Sequence, residues 1–173
     1  MHHTCLACRP LTRRTVFALG AGALAAGAAR ATPADDHHCD YLLLTCMDFR
    51  LLDDIAVYMN GRGLQQDYDH VALAGASLGA LTPKRPDWGP TFWQHLDAAI
   101  GLHKVKQVMV IDHWNCGAYE LFLGEEAVNT PEKEYAEHVR HLRRLRALIR
   151  NRYPKHGVEL GLMNLKGKVE TIA

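Results

Sequence analysis

The stretch LLLTCMDFR, residues 42–50, decides how the chain is read. Three leucines run through Thr45 into a thiol, a carboxylate and a guanidinium at alternate positions: Cys46, Asp48 and Arg50. A short unbroken apolar run suits a strand buried on both faces. A strand interior needs none of the three polar groups, so they belong where the strand ends, and their clustering there points to chemistry. A second apolar run ends in the same manner. In QVMVIDHWNCGAY, residues 107–119, it breaks into His113 and then, after two spacer residues, into Cys116 and Gly117.

Two thiols and an imidazole are donors of the kind Zn²⁺ takes, and the His-x-x-Cys spacing lets two of them converge from one turn. Three protein ligands leave a fourth position for water, the arrangement of catalytic sites. The same residues admit another reading in an oxidising compartment. Cys46 and Cys116 would then form a disulfide, His113 would enter a helix, and Asp48 and Arg50 would make a surface ion pair.

Either reading requires the two run ends to meet. Short aliphatic runs mark strands at Tyr41–Thr45, His70–Ala74, Gln107–Ile111 and Val158–Leu165. Helices fit between them. Asp53–Asn60 is closed by Gly61 and Gly63, and Phe92, Leu96, Ala99 and Ile100 share a face after Pro90-Thr91. Thr130 is an N-cap with Pro131 at the first helical position, opening a helix to about Tyr153 with the stripe Tyr135, Val139, Leu142, Leu145 and Ile149. Its other side, with Arg140, Arg143, Arg144, Arg146 and Arg150, reads as a solvated face.

Alternating strands and helices give an α/β fold, a parallel sheet of about four strands flanked by helices. In the order 2-1-3-4, strands 1 and 3 are neighbours whose outgoing connections turn to opposite faces. That leaves a crevice at their carboxyl ends, where Cys46 and His113 would meet.

The chain has 173 residues, 48% apolar and 23% charged, enough for one core and short for two domains. A net charge of +1 with no long basic run lacks the footprint of a nucleic-acid binder. Residues 1–31 read as a signal peptide rather than fold. Arg13-Arg14 precedes a small-residue apolar run, Val16–Ala29, and Ala29-Arg30-Ala31 resembles a cleavage site. TRRTVF resembles a twin-arginine export signal, which would place a folded product in the periplasm. The run is shorter than the ~20 residues of a membrane span, so no stable span is expected after cleavage. Cleavage would remove four arginines and no acid, taking the charge from +1 to −3, and would remove Cys5 and Cys8. Residues 32–40 are expected to be a flexible mature N-terminus, leaving 41–173 as the domain.

CMDFR and HWNCG together resemble the Cys-x-Asp-x-Arg and His-x-x-Cys motifs of β-class carbonic anhydrases. The likeness extends to HVALAGAS, as the strand and glycine turn between the motifs, and to IGLHKVKQVMVIDH, as the helix and strand leading to the histidine. LGLMNLKGKVETI resembles the closing strand and hairpin, which adds a C-terminal antiparallel edge strand.

The resemblance implies one zinc per chain on Cys46, His113 and Cys116, and reversible hydration of CO₂ to bicarbonate and a proton. It makes Asp48 and Arg50 a catalytic dyad, with Asp48 orienting the activated water and Arg50 keeping Asp48 ionised. In a closed form of such enzymes the aspartate takes the fourth zinc position. Gly75, Ala76 and Gly117 would border the substrate, and a homodimer or higher homo-oligomer is expected.

The sequence departs from the family pattern in the pocket. Phe49 stands where a serine is usual, Asp112 replaces a glycine before His113, LAGAS lacks an arginine, and the long N-terminal helical arm is absent. A hydrolase acting on COS or CS₂, and an inactive zinc protein, are therefore the alternatives. Phe49 and Trp114 read as pocket walls or core. Cys39 is unassigned, and His37, His38, His95 and His103 are among nine histidines of the mature chain able to relay protons.

Overall fold

The computed structural model describes residues 37–173. The expected signal peptide, its cleavage site, Cys5 and Cys8 lie outside the described residues. Five strands form one sheet in the order β2-β1-β3-β4-β5. β1 (Tyr41–Thr45) pairs in parallel with β2 (Tyr68–Ala72) on one side and with β3 (Gln107–His113) on the other. β4 (Gly157–Met163) runs parallel to β3, and β5 (Val169–Thr171) closes the sheet as an antiparallel edge. The fold class and strand order are those expected.

Leu42, Leu43 and Leu44 are 1%, 0% and 0% exposed, so β1 is buried on both faces, which is why its sequence is continuously apolar. Alternate residues serve two cores. Leu43 joins Met109, Ile111 and Met163 beneath Ile55 and Met59 of α1 (Leu52–Gly61). Leu42 and Leu44 join Val108, Val110, Leu160 and Leu162 beneath α2 (Trp88–His103) and α4 (Pro131–Arg152). Helix α1, which leaves β1, and helix α4, which lies between β3 and β4, thus cover opposite faces, and the β1–β3 boundary is the switch point at which this architecture opens a crevice.

Four local differences have physical causes. The second strand sits two residues upstream of the expected His70–Ala74, because its ladder with β1 ends at Thr45↔Ala72 and only Val71 of it is buried. Its apolar tail belongs to the turn that follows. β4 stops at Met163, since Asn164 N donates to Lys168 O across a turn in which Gly167 takes φ +73°, leading into β5. Helix α3 (Gly117–Leu123) was not expected; seven residues are too few for a periodic pattern to emerge. In α4, Thr130 caps Lys133 N as expected, and Leu142, Leu145 and Ile149 are buried, but His138 and His141 take the buried positions ahead of the half-buried Tyr135 and Val139.

Residues 39 and 40, expected to be flexible, are pinned: Cys39 N donates to His103 O at 3.1 Å and Asp40 N to Asp67 Oδ1 at 2.7 Å. Among the described residues, no helix is long and apolar enough to cross a membrane.

Candidate metal centre

The carboxyl ends of β1 and β3 deliver the three soft donors to one buried point. Cys46 follows β1, His113 ends β3, and Cys116 is the N-cap of α3; the three are 7%, 2% and 5% exposed. One donor atom from each lies within 4.8 Å of the others. The two sulfurs are 3.9 Å apart, both thiols free, which is outside disulfide bonding and suits two ligands of one ion.

The imidazole is aimed. His113 Nδ1 donates to the Trp114 carbonyl at 2.9 Å, which fixes the tautomer and leaves the lone pair on Nε2. Among the described residues that buried Nε2 has no hydrogen-bond partner, an arrangement that costs free energy unless a cation accepts the lone pair. The Cys46 thiol is held well below the ordinary thiol range by hydrogen bonding from Cys116, against the cost of burial, with His113 and the Gly75 N–H adding to the effect. The same exchange raises Cys116, so the pair holds one proton tightly and releases the other readily. Gly75 N lies 3.3 Å from Cys46 Sγ. Burial alone would lower His113, but the Cys46 thiolate beside it, the Trp114 carbonyl and Asp48 outweigh burial and raise it. Two sulfurs and one imidazole nitrogen converging at this point can hold a metal ion of the borderline to soft class.

Asp48 and Arg50 stand beside this trio. Arg50 Nε and Nη2 donate to the two Asp48 oxygens at 2.9 and 2.7 Å. Its Nη1 and Nη2 also reach Asn115 Oδ1 at 2.9 Å and Asn115 O at 3.0 Å. The hydrogen bonds from Arg50 hold the Asp48 carboxyl down to about 2. Asp48 Oδ2 lies 3.7 Å from His113 Nε2, near the trio while committed to Arg50.

A cleft of about 500 Å³ opens over these groups, lined among others by Asp48, Phe49, Arg50, Asn115, Gly117 and Glu134. Gly117 lines this cleft. Gly75 and Ala76 are not among its lining residues: the Gly75 N–H is directed at the Cys46 sulfur and Ala76 is fully buried. Phe49 lines the mouth and is 82% exposed, while Trp114 turns away and stacks on Tyr135 at 6.0 Å.

No family model matches this chain. It is 40% identical over 131 residues to the uncharacterized protein RC0076 of Rickettsia conorii, covering 76% of this chain and 70% of that one. An uncharacterized protein of Rickettsia bellii is 39% identical over 131 residues, covering 76% and 80%. The chain belongs to the RC0076 family.

A carbonic anhydrase from Streptococcus mutans has the same fold as this RC0076-family member, with a TM-score of 0.52 and 17% identity over 79% of this chain and 84% of that one. At that identity the likeness concerns the fold.

Two parts of this site escaped the sequence reading. Asn115 sits at φ +57°, a left-handed position Asn tolerates, and this presents both its carbonyl and its side chain to Arg50. The second is a buried polar cluster behind His113. Asp112, read as a departure from the pattern, accepts from Ser77 N at 3.0 Å, Ser77 Oγ at 2.6 Å, Tyr119 Oη at 2.6 Å and His138 Nδ1 at 3.0 Å. Burial works to lower His138, but Asp112 and Glu134 outweigh it and raise it to about 9. Glu134 in turn accepts from the Asn115 N–H. A cluster this far inside needs every partner, and those partners are scattered over four segments of sequence.

Proposed function

We propose that this chain is a zinc enzyme that reversibly hydrates CO₂ to bicarbonate and a proton. One observation supports the reading above others: a buried Cys46, His113 and Cys116 set with its imidazole lone pair unpartnered, next to an Asp48–Arg50 dyad at the floor of an open cleft. Cys46, His113 and Cys116 would hold the zinc, which would supply a Lewis acid able to bring the pKa of water toward ~7.

The chain's own groups account for the rest. Asp48, ionised because Arg50 binds both its oxygens, accepts a hydrogen bond from the reacting water and fixes its orientation. With both oxygens bound by Arg50, Asp48 is held beside the Cys46, His113 and Cys116 set rather than free to join it. Arg50 also ties the loop after β1 to the turn after β3 through Asn115, so the ligands keep their spacing when substrate enters. Phe49 gives the cleft an apolar wall suited to a small uncharged molecule.

Met47, Phe49 and Leu52 are 64%, 82% and 52% exposed beside the cleft, an apolar surface that supports a homodimer covering the mouth. Export to the periplasm by the residue 1–31 signal completes the reading, with zinc acquired before transport so that the thiols are protected.

The test is stopped-flow CO₂ hydration and COS hydrolysis on purified, metal-analysed protein. Hydration of CO₂ dependent on zinc at Cys46, His113 and Cys116 is the expected result. COS or CS₂ hydrolysis without hydration would reassign the substrate, and no turnover of any of them would leave a zinc-binding protein.

A further inference from the structure

The opposite end of the sheet carries a second set of metal-binding side chains. Cys39, just before β1, Asp69 of β2 and His103, the last residue of α2, each bring one donor atom within 4.8 Å of the others. Cys39 precedes β1 and Cys46 follows it, so at ~3.3 Å per strand residue the two sites are roughly 20 Å apart.

Three features distinguish this group from an ordinary surface ion pair. First, the thiol is buried at 7% exposure against an Asp–His pair that needs no sulfur, and its hydrogen bond to Tyr41 O is long, at 3.6 Å. Second, His103 Nδ1 and both Asp69 oxygens, 3.0 and 2.8 Å apart, converge beside the sulfur, and a bound cation would take the place of the Nδ1 proton that now bridges them, releasing that proton to solvent. Third, the frame is preorganised. Backbone bonds from Cys39 N to His103 O and from Asp40 N to Asp67 Oδ1 fix the thiol's segment against α2 and β2.

Electrostatics favours a cation there. The group lies at the carboxyl end of α2, where helix carbonyls concentrate negative charge. The side chains of His103 and Asp69 are 37% and 30% exposed, leaving solvent to complete the coordination.

We propose that Cys39, Asp69 and His103 form a second metal site, which takes a zinc-class divalent cation and clasps the segment before β1 onto α2 and β2. Sulfur with nitrogen selects this class over Mg²⁺ or Ca²⁺. The proposal is independent of the activity assigned to the first site, and it raises metal content above the single equivalent that site accounts for.

Cobalt(II) titration of the reduced protein, followed by sulfur-to-cobalt charge-transfer absorbance and by mass, tests it. The parent should take two equivalents and protect three thiols from alkylation. Cys39→Ala and Asp69→Asn should each take one equivalent, whereas Cys46→Ala should keep the second-site equivalent. A parent that takes one equivalent and leaves Cys39 open to alkylation overturns the proposal without recourse to any variant. Loss of metal in Cys46→Ala but not in Cys39→Ala also removes it and leaves the first site standing. The reverse pattern removes the first site and leaves this one.

Discussion

Arg50 holds Asp48 by both carboxylate oxygens, at 2.9 and 2.7 Å, while Asp48 Oδ2 stays 3.7 Å from the His113 nitrogen that faces the two thiols. The carboxylate is thereby oriented toward the ligand set without joining it. A neutral isostere keeps the size of this group and loses its role as an acceptor.

Asp48→Asn is expected to retain folding and the metal content of the Cys46, His113 and Cys116 set. CO₂ hydration should fall on the order of 10²-fold or more, since the amide offers an N–H where an acceptor is required. Hydration kinetics on metal-analysed protein check this, and a variant as fast as the parent would remove the dyad from the mechanism. Because Asp48 is depressed from 3.8 to about 2, its bond to Arg50 is intact above about pH 4 and lost only as pH falls through about 2. Any loss of activity between pH 5 and pH 7 must therefore come from another group.

His138 gives the opposite pH signature. Its charge is stabilised in the fold, from 6.5 to about 9, so its contribution is fully present below pH 6.5 and declines as pH rises through 9. Denaturant unfolding of the parent should weaken over that window, and His138→Gln should be less stable at pH 6 and flatter with pH. Leaving Asp112 buried without its cation should cost about 3–5 kcal/mol. Equal pH slopes in parent and variant would contradict the buried pair.

Gly75 occupies φ +79°, and a Cβ there would lie 3.2 Å from the Ala118 Cβ. Gly75→Ala is expected to cost about 1–3 kcal/mol from backbone strain. Shifting its N–H from Cys46 should also weaken metal retention, measured as faster loss to a chelator. Unchanged metal loss would show that the Gly75 hydrogen bond does not support the thiolate.

Phe49→Glu places a charge in the apolar surface beside the cleft. Sedimentation should find the parent a dimer and the variant shifted to monomer. A monomeric, active parent would refute the dimer.

The ends of β1 and β3 were legible because each is an apolar run that stops at chemistry-bearing residues, so burial and site coincide in the sequence. The parallel order followed from strand–helix alternation. Helix α3 was not legible, being too short for a period, and β2 was displaced because a polar edge strand leaves its apolar signal in the turn beyond it. The buried histidines of α4 were hidden for a different reason. His138 reads as polar until Asp112, distant in sequence, is seen to face it, and Glu134 reads as one more acid of a first helical turn until its contact with Asn115 is known.

The strand neighbours β1 and β3 also set an order of events during synthesis. A nascent chain that has emerged only through α2 carries Cys46 but neither His113 nor Cys116. An ion held by Cys46, His113 and Cys116 could be captured only once β3 docks along β1, however much helix has already formed. Metal uptake is then a clock for that single docking step, and ion capture during refolding should lag helix formation and coincide with the pairing of Thr45 with Ile111.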